Sequence, residues 1–412
     1  VIRESLIANL SVWIIPCKPF LKNIFNIDAD GRLSPDMQSL IRFFLNGFVL
    51  ACTLCVGIIS AAETPPDTLQ TGFDWEIIPI VAYFPETRFM GVLTAFLKYR
   101  TESDATFRAS SMAVALQATQ NAQFSAGVYP EIYLDSNRMR IEGLAEWYLY
   151  PYKFFGIGNE NPSSNAELYT PNGFRVQVRA LHALNGAKVQ NGLSAGLRLD
   201  VRYDHIQKIE PREDGSIGPL GNGQILGSSG GWYNGIGPMF SYDTRDNNFD
   251  ARKGLFCEAT LVAYGETLGS TYTATLTSAD LRAYTQIVDG VSFAARLLLQ
   301  NVAGTPTFIM WPSIGGNNNL RGVIDAQQRD RISFLTSAEL RFPIIWKFRG
   351  ATFVDAGQVA PSLDFLSPRS LWIGWGGGLR FVFDEKERIS LRLDAGVARG
   401  DVQFYLSFNE AF

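Results

Sequence analysis

The sequence predicts an all-β fold, a 16-stranded antiparallel transmembrane β-barrel with an inward-folded long loop between strands eleven and twelve. Three observations predict it. Segments of about ten residues alternate apolar and polar side chains, the signature of a strand with lipid on one face and water on the other. Such segments number sixteen, the even count that a bacterial single-chain barrel requires. The long connections follow odd-numbered segments, so they emerge at one rim, as external loops do.

Composition agrees with this reading. Charged residues make up 18% of the chain, and a helical membrane protein would show several apolar runs of about twenty residues. A single such run occurs, Ile41 to Ile59. It reads as a secretory signal over 37–62: Met37 as start, Arg42 as positive end, Phe43 to Ile59 as apolar stretch, and Ser60-Ala61-Ala62 as cleavage site. Residues 1–36 are then an upstream extension or a misassigned start, 63–74 a short periplasmic lead, and 75–412 the barrel. An uncleaved anchor helix is the alternative for the apolar run, and Cys52 gives a weaker lipoprotein reading. Only Cys257 lies beyond the signal, so no internal disulfide is expected in the exported chain. The formal net charge of −4 gives no electrostatic case for nucleic acid.

The clearest strand runs from Gly192 to His205, where Leu193, Ala195, Leu197, Leu199, Val201 and Tyr203 oppose Ser194, Gly196, Arg198, Asp200, Arg202 and Asp204. Segments 139–149, 332–342, 389–397 and 402–408 repeat the pattern. The strands are expected to begin near Glu76, Arg88, Thr106, Gln123, Arg138, Gly173, Gly192, Gly230, Gly254, Thr271, Val291, Ile332, Gly350, Ser370, Ile389 and Asp401. Pro79, Pro130 and Pro238 fall inside strands and delete ladder donors, and Thr271 to Thr285 changes phase as a bulge would. Long connections are Pro151–Asn172, Ile206–Ser229, Ala303–Arg331 and Gln358–Arg369. Tyr242–Lys253 is a long exception at the other rim.

No catalytic residues are expected. His182 and His205 are the only histidines, and no metal-ligand spacing or Ser-His-Asp arrangement can be assembled around them. Neither metal nor cofactor is expected. The longest connection carries Gly315-Gly316-Asn317-Asn318-Asn319-Leu320-Arg321-Gly322-Val323. On strand fourteen Gly374, Gly376 and Gly378 share one face, a trough that another backbone can enter. A loop tip folded into it needs a carboxylate for Arg321, and Asp355 and Glu339 stand on neighbouring strands, facing the lumen.

These residues resemble a family. Phe155-Gly156-Ile157-Gly158-Asn159, Gly237-Pro238 to Tyr242-Asp243-Thr244-Arg245-Asp246, Leu320-Arg321-Gly322, Ala338-Glu339-Leu340-Arg341-Phe342-Pro343, Phe353-Val354-Asp355-Ala356-Gly357 and Arg392 to Asp394 stand in an order similar to that of the BamA-type outer-membrane assembly superfamily, the bacterial surface antigen family. The resemblance implies a loop-six lock in which Arg321 of the Arg321-Gly322 tip packs against Asp355, with Glu339 as a second contact. Val323 departs from the aromatic residue usual there. Family members usually carry polypeptide-transport-associated domains before the barrel, and the expectation is a barrel-only member.

The implied place is the cell outer membrane, with lipid as partner and nascent outer-membrane proteins as clients. The implied role is insertion or translocation by strand exchange at the seam between the first and last strands, where Pro79, Phe408 and Phe412 are the seam residues. A passive pore or structural surface barrel with a loop-plugged lumen is the alternative.

Overall fold

The computed structural model describes residues 72–100, 108–184, 186, 188–189 and 191–412. The expected upstream extension, the signal and most of the short lead lie outside these residues. The described chain is a closed antiparallel barrel of sixteen strands: β1 (Gly72–Phe84), β2 (Arg88–Arg100), β3 (Ser110–Thr119), β4 (Phe124–Leu134), β5 (Met139–Leu149), β6 (Glu167–Ala183), β7 (Gly192–Glu210), β8 (Gly230–Asp243), β9 (Gly254–Tyr264), β10 (Ala274–Val288), β11 (Val291–Gly304), β12 (Ile332–Ile345), β13 (Phe348–Ala360), β14 (Trp372–Asp384), β15 (Ile389–Ala398) and β16 (Asp401–Phe408). Each expected strand is present. β6 starts at Glu167 rather than near Gly173, so the sequence reading took six ladder residues for loop. No described helix is long and apolar enough to cross a membrane.

The alternation sorts side chains as lipid and water demand. Phe73, Trp75, Leu116, Leu197, Phe240, Leu255, Val354 and Ile373 lie exposed on the outer face. Aromatic clusters mark both edges of this band. Phe174, Tyr203 and Trp232 pack together toward the long loops, and Trp346, Phe348 and Phe381 toward the short turns.

Pro130 and Pro238 are accommodated by local loss of pairing on one side. The β4–β5 ladder skips from Val128↔Ala145 to Glu131↔Glu142 around Pro130. The β8–β9 ladder skips from Thr260↔Met239 to Ala263↔Ile236 around Pro238. Pro79 keeps its register with Leu93 of β2. The bulge expected over Thr271–Thr285 is displaced: β10 begins only at Ala274, and the register shift falls at Gln286/Val288 beside the Asp289-Gly290 turn.

Candidate functional site: the buried loop-six tip

Residues 305–331 leave β11 at the loop rim and return through the lumen. Their base is a two-stranded ribbon, Ser313–Ile314 against Gln328–Arg329. Their tip is Leu320-Arg321-Gly322-Val323, with Leu320 0%, Arg321 1% and Val323 2% exposed. Apolar anchoring comes first: Leu320 and Val323 pack with Leu298, Ile314, Leu335, Val359 and Trp372. Val323, which departs from the aromatic residue usual in the resembled family, packs in this apolar cluster.

The guanidinium of Arg321 is then held on every side. Its Nε and Nη2 donate to Asp355 Oδ2 and Oδ1 at 2.9 and 3.0 Å, a bidentate fork, and its backbone N–H donates to the same carboxylate at 3.1 Å. Nη1 donates to Glu339 at 2.6 Å and to Asp394 at 3.3 Å. The Phe353 ring lies 3.4 Å from the guanidinium carbon.

Neighbouring charges close the cluster. Arg380 meets Asp394 at 2.5 Å and Glu410 at 3.0 Å, and Arg341 meets Glu339 at 2.8 Å. Arg392 donates to Asn317 and, at 3.0 Å, to Asn318 of the same loop. Four buried arginines (321, 341, 380, 392) thus face five carboxylates (250, 339, 355, 394, 410), of which Asp250 also pairs with Arg349. Neutrality and dense pairing are what permit charges at this depth.

The glycines act by what they leave out. A Cβ on Gly374 would stand 2.2 Å from the Arg321 carbonyl oxygen, and one on Gly396 would stand 2.7 Å from the Gly322 nitrogen. Gly322 itself has φ +97°, and its Cβ would meet the Val397 and Ala398 backbone of β15. The other expected track members serve different neighbours. Gly376 leaves room for the Phe353 ring, and Gly378 for the Asp394 carboxylate.

Arg321, Gly322, Glu339 and Asp355 therefore meet at one point. Sequence reasoning missed several of their partners. Tyr405 of β16 accepts a hydrogen bond from Gly322 N–H at 3.0 Å. Asn159 ties the connection after β5 to the same wall: its side chain accepts from Val359 N–H at 2.9 Å and donates to the Ser370 carbonyl at 2.6 Å. Gly158 N–H donates to the Arg329 carbonyl at 2.8 Å. The Phe155–Asn159 motif is thus a brace for loop six. Asp394 was legible as an inward position beside Arg392; Tyr405 carried no sequence signal.

The seam residues are divided. β1 and β16 share one register pair, Tyr83↔Leu406, whereas β1 and β2 are paired along their whole length. Pro79 lies on the seam strand beyond that pair, and Phe408 ends β16 against Leu391 of β15. Phe412 is placed differently from the expectation. The chain turns inward after Phe408, and Phe412 is 9% exposed in a cluster with Ala251, Tyr284 and Ala294. Among the described residues no group of three His, Cys, Asp or Glu side chains stands where it could hold a metal.

Residues 108–383 match the Omp85 superfamily domain. No curated protein sequence matches the chain. Solved structures with a similar fold include BamA from Haemophilus ducreyi lacking POTRA domains 1-3, at TM-score 0.56 and 14% identity, covering 95% of this chain and 81% of that one. CdiB from Acinetobacter baumannii aligns at TM-score 0.54 and 14% identity over 82% of this chain and 60% of its own. CdiB from Escherichia coli aligns at TM-score 0.53 and 13% identity over 84% and 68%. With more than half of its length matched by that domain, and with the barrel fold of those structures, the chain belongs to the Omp85 superfamily.

Proposed function

We propose that this barrel works in the outer membrane as a non-enzymatic device for inserting or translocating polypeptide, and that its working part is the β1–β16 seam. The observation that carries this reading is the single register pair holding the seam. Below it, residues 72–82 of β1 have no register partner on the β16 side, so their backbone is an edge to which an incoming strand can add. Pro79 cannot donate there, which keeps this edge from sealing. Loop six, fixed by Arg321 to β12, β13 and β15 and by Gly322 to Tyr405 of β16, holds the β12–β16 side of the seam in place while β1 moves away. The long loops are then extracellular and the short turns periplasmic, and the clients are nascent outer-membrane proteins.

The test is a seam disulfide. Tyr83→Cys with Leu406→Cys, in a Cys257→Ser background, places two cysteines at a directly paired position, within bridging distance. Vesicles carrying the oxidised barrel should lose acceleration of client-barrel insertion, and reductant should restore it. Equal insertion in both redox states refutes the seam mechanism.

A second reading, a passive pore, is favoured by a cavity of about 820 Å³ between the β1–β2 turn, the start of the β5–β6 connection and loop six. Single-channel conductance of the wild type against Arg321→Ala separates the two. A steady pore indifferent to Arg321 supports passive passage.

A further inference from the structure

A second cavity, about 210 Å³, lies between the β5–β10 wall and residues Ile309 and Met310 of loop six. Three arginines line it: Arg175 of β6, and Arg198 and Arg202 of β7. Arg175 and Arg202 stand directly opposite each other in the β6–β7 ladder. The Tyr148 ring lies 6.0 and 5.8 Å from their two guanidinium carbons. Like charges placed directly across a ladder repel, so this juxtaposition needs an anion to be favourable.

The ion pairs around the cavity are complete on the acid side and incomplete on the basic side. Each guanidinium turns its Nε–Nη2 edge to a carboxylate. Arg175 meets Glu146 at 2.7 Å, Arg198 meets Asp200 at 2.9 and 3.0 Å, and Arg202 meets Asp204 at 2.6 and 3.3 Å. The same carboxylates take further donors. Asp200 accepts from the Tyr264 hydroxyl at 2.5 Å and from the Gln177 amide at 3.0 Å. Asp204 accepts from the Tyr148 hydroxyl at 2.6 Å, and Glu146 from the Tyr129 hydroxyl at 3.3 Å. Every oxygen of the three carboxylates therefore has a donor. Among the described residues, the Nη1 group of each arginine has no protein acceptor. The arginine side chains keep 46%, 26% and 28% exposure, so these free donors face lumenal water. What the wall offers a ligand is donors without acceptors.

The rest of the lining is apolar: Leu144 and Leu276 on the wall, Ile309 and Met310 on loop six. A bare inorganic anion gains nothing from such a surface. An oxyanion carried on a small apolar body gains from both halves of the cavity. A doubly charged phosphate monoester answers both arginines of the cross-strand pair, whereas a singly charged carboxylate answers one.

We propose that this cavity binds a small organic phosphate, with its charged end between Arg175 and Arg202, Arg198 adding positive potential, and its apolar body on Leu144, Leu276 and loop six. The ligand touches the barrel wall and the base of loop six together, so its binding adds a contact between them. The site lies on the β5–β10 wall and not at the β1–β16 seam, so it stands or falls separately from the seam mechanism.

Isothermal titration calorimetry of the refolded protein in non-ionic detergent tests the site, with phenyl phosphate as probe. Phenyl phosphate should bind at one site per barrel, about tenfold tighter than inorganic phosphate, which lacks the ring, and tighter than benzoate. Arg175→Gln should weaken it at least about tenfold, the loss of one charge-assisted contact. Leu144→Glu, opposite Gln177 on the lumenal wall, supplies a carboxylate within the cavity and should abolish binding. Arg282→Gln, at a lumenal arginine paired with Asp280 outside the cavity, should leave affinity within about twofold. Heat-modifiable gel mobility checks that each variant is folded. No saturable binding by the wild type, unchanged affinity in both cavity variants, or an equal loss in Arg282→Gln overturns the site. Inorganic phosphate bound as tightly as phenyl phosphate overturns its apolar half, and benzoate bound as tightly overturns the choice of phosphate.

Discussion

Replacing Arg321 by Met tests whether the loop-six tip is held by charge or merely by shape. Asp355 is fully buried, and its one ion-pair partner among the described residues is Arg321. Glu339 keeps Arg341 and Arg380, and Asp394 keeps Arg380 and Arg392. The penalty therefore falls on Asp355. Removing one member of a buried pair costs about 3–5 kcal/mol, because the other is left charged without water. The readout is hydrogen exchange at the Arg321 and Gly322 amides, which donate to Asp355 and Tyr405. At about 1.4 kcal/mol per tenfold, exchange should accelerate by roughly two to three and a half orders of magnitude. Adding Asp355→Asn should recover part of the loss, about 1–2 kcal/mol, since no buried charge then lacks a partner. Arg321→Lys should fall between, keeping the charge but losing the fork and the stack on Phe353. Protection in Arg321→Met within about threefold of wild type would refute the reasoning, leaving the apolar cluster around Leu320 and Val323 as what holds the tip.

Further expectations rest on independent contacts. Gly374→Ala and Gly396→Ala should free the tip with Arg321 intact, because each Cβ meets loop backbone; Gly91→Ala, with nothing within 4 Å, should leave exchange unchanged. Asn159→Ala strips partners from Val359 N–H and the Ser370 carbonyl, at about 1–3 kcal/mol each, and should expose residues 150–166 to protease. Burial and then the charge of Asp325 push the Glu86 carboxyl in the β1–β2 turn up to about 8, with Lys153 opposing. Arg88, Glu210 and Arg329 line the same cavity. A raised acid binds more protons folded than unfolded, so stability falls as pH rises from about 4.5 through about 8. Thermal unfolding should show this loss between pH 6 and pH 9 in the wild type and less of it in Glu86→Gln.

Lipid outside and water inside impose a two-residue period on the strands, which is why the barrel was readable from alternation together with the strand count and the parity of the long connections. The Arg321–Asp355–Glu339 meeting was readable for a related reason. One arginine in a Gly-Asn loop, carboxylates on the inward face and a glycine trough leave few arrangements that satisfy charge at depth. Tyr405 and Asn159 were not readable. Each bonds to residues 83 and 200 positions away, respectively, and barrel closure, which no local pattern encodes, brings them together. Phe412 was expected at the seam and lies instead in the cluster with Ala251, Tyr284 and Ala294, because the alternation of β16 carries no signal for the inward turn after Phe408. The strand pattern fails at Glu410, which on an extended β16 would have to face lipid.

That failure bears on why the barrel keeps so many charges in its driest region. An apolar cluster of equal volume is often as stable as a buried ion network, or more so. An apolar filling, however, would hold loop six and the tail independently, each by its own surface. Arginines that share carboxylates hold them jointly: Arg341 and Arg380 each lie within 3.7 Å of both Glu339, on the loop-six side, and Glu410, while Arg380 also pairs with Asp394 and Arg341 lies 3.6 Å from Asp250. Neither carboxylate can change partners without leaving a buried charge exposed to the other's loss. On this argument the network serves to make two distant segments move as one, and replacing Glu339, Glu410, Arg341 and Arg380 together by apolar residues should preserve the barrel while making hydrogen exchange at the Asn409 amide, which donates to the Ser390 carbonyl, insensitive to Arg321.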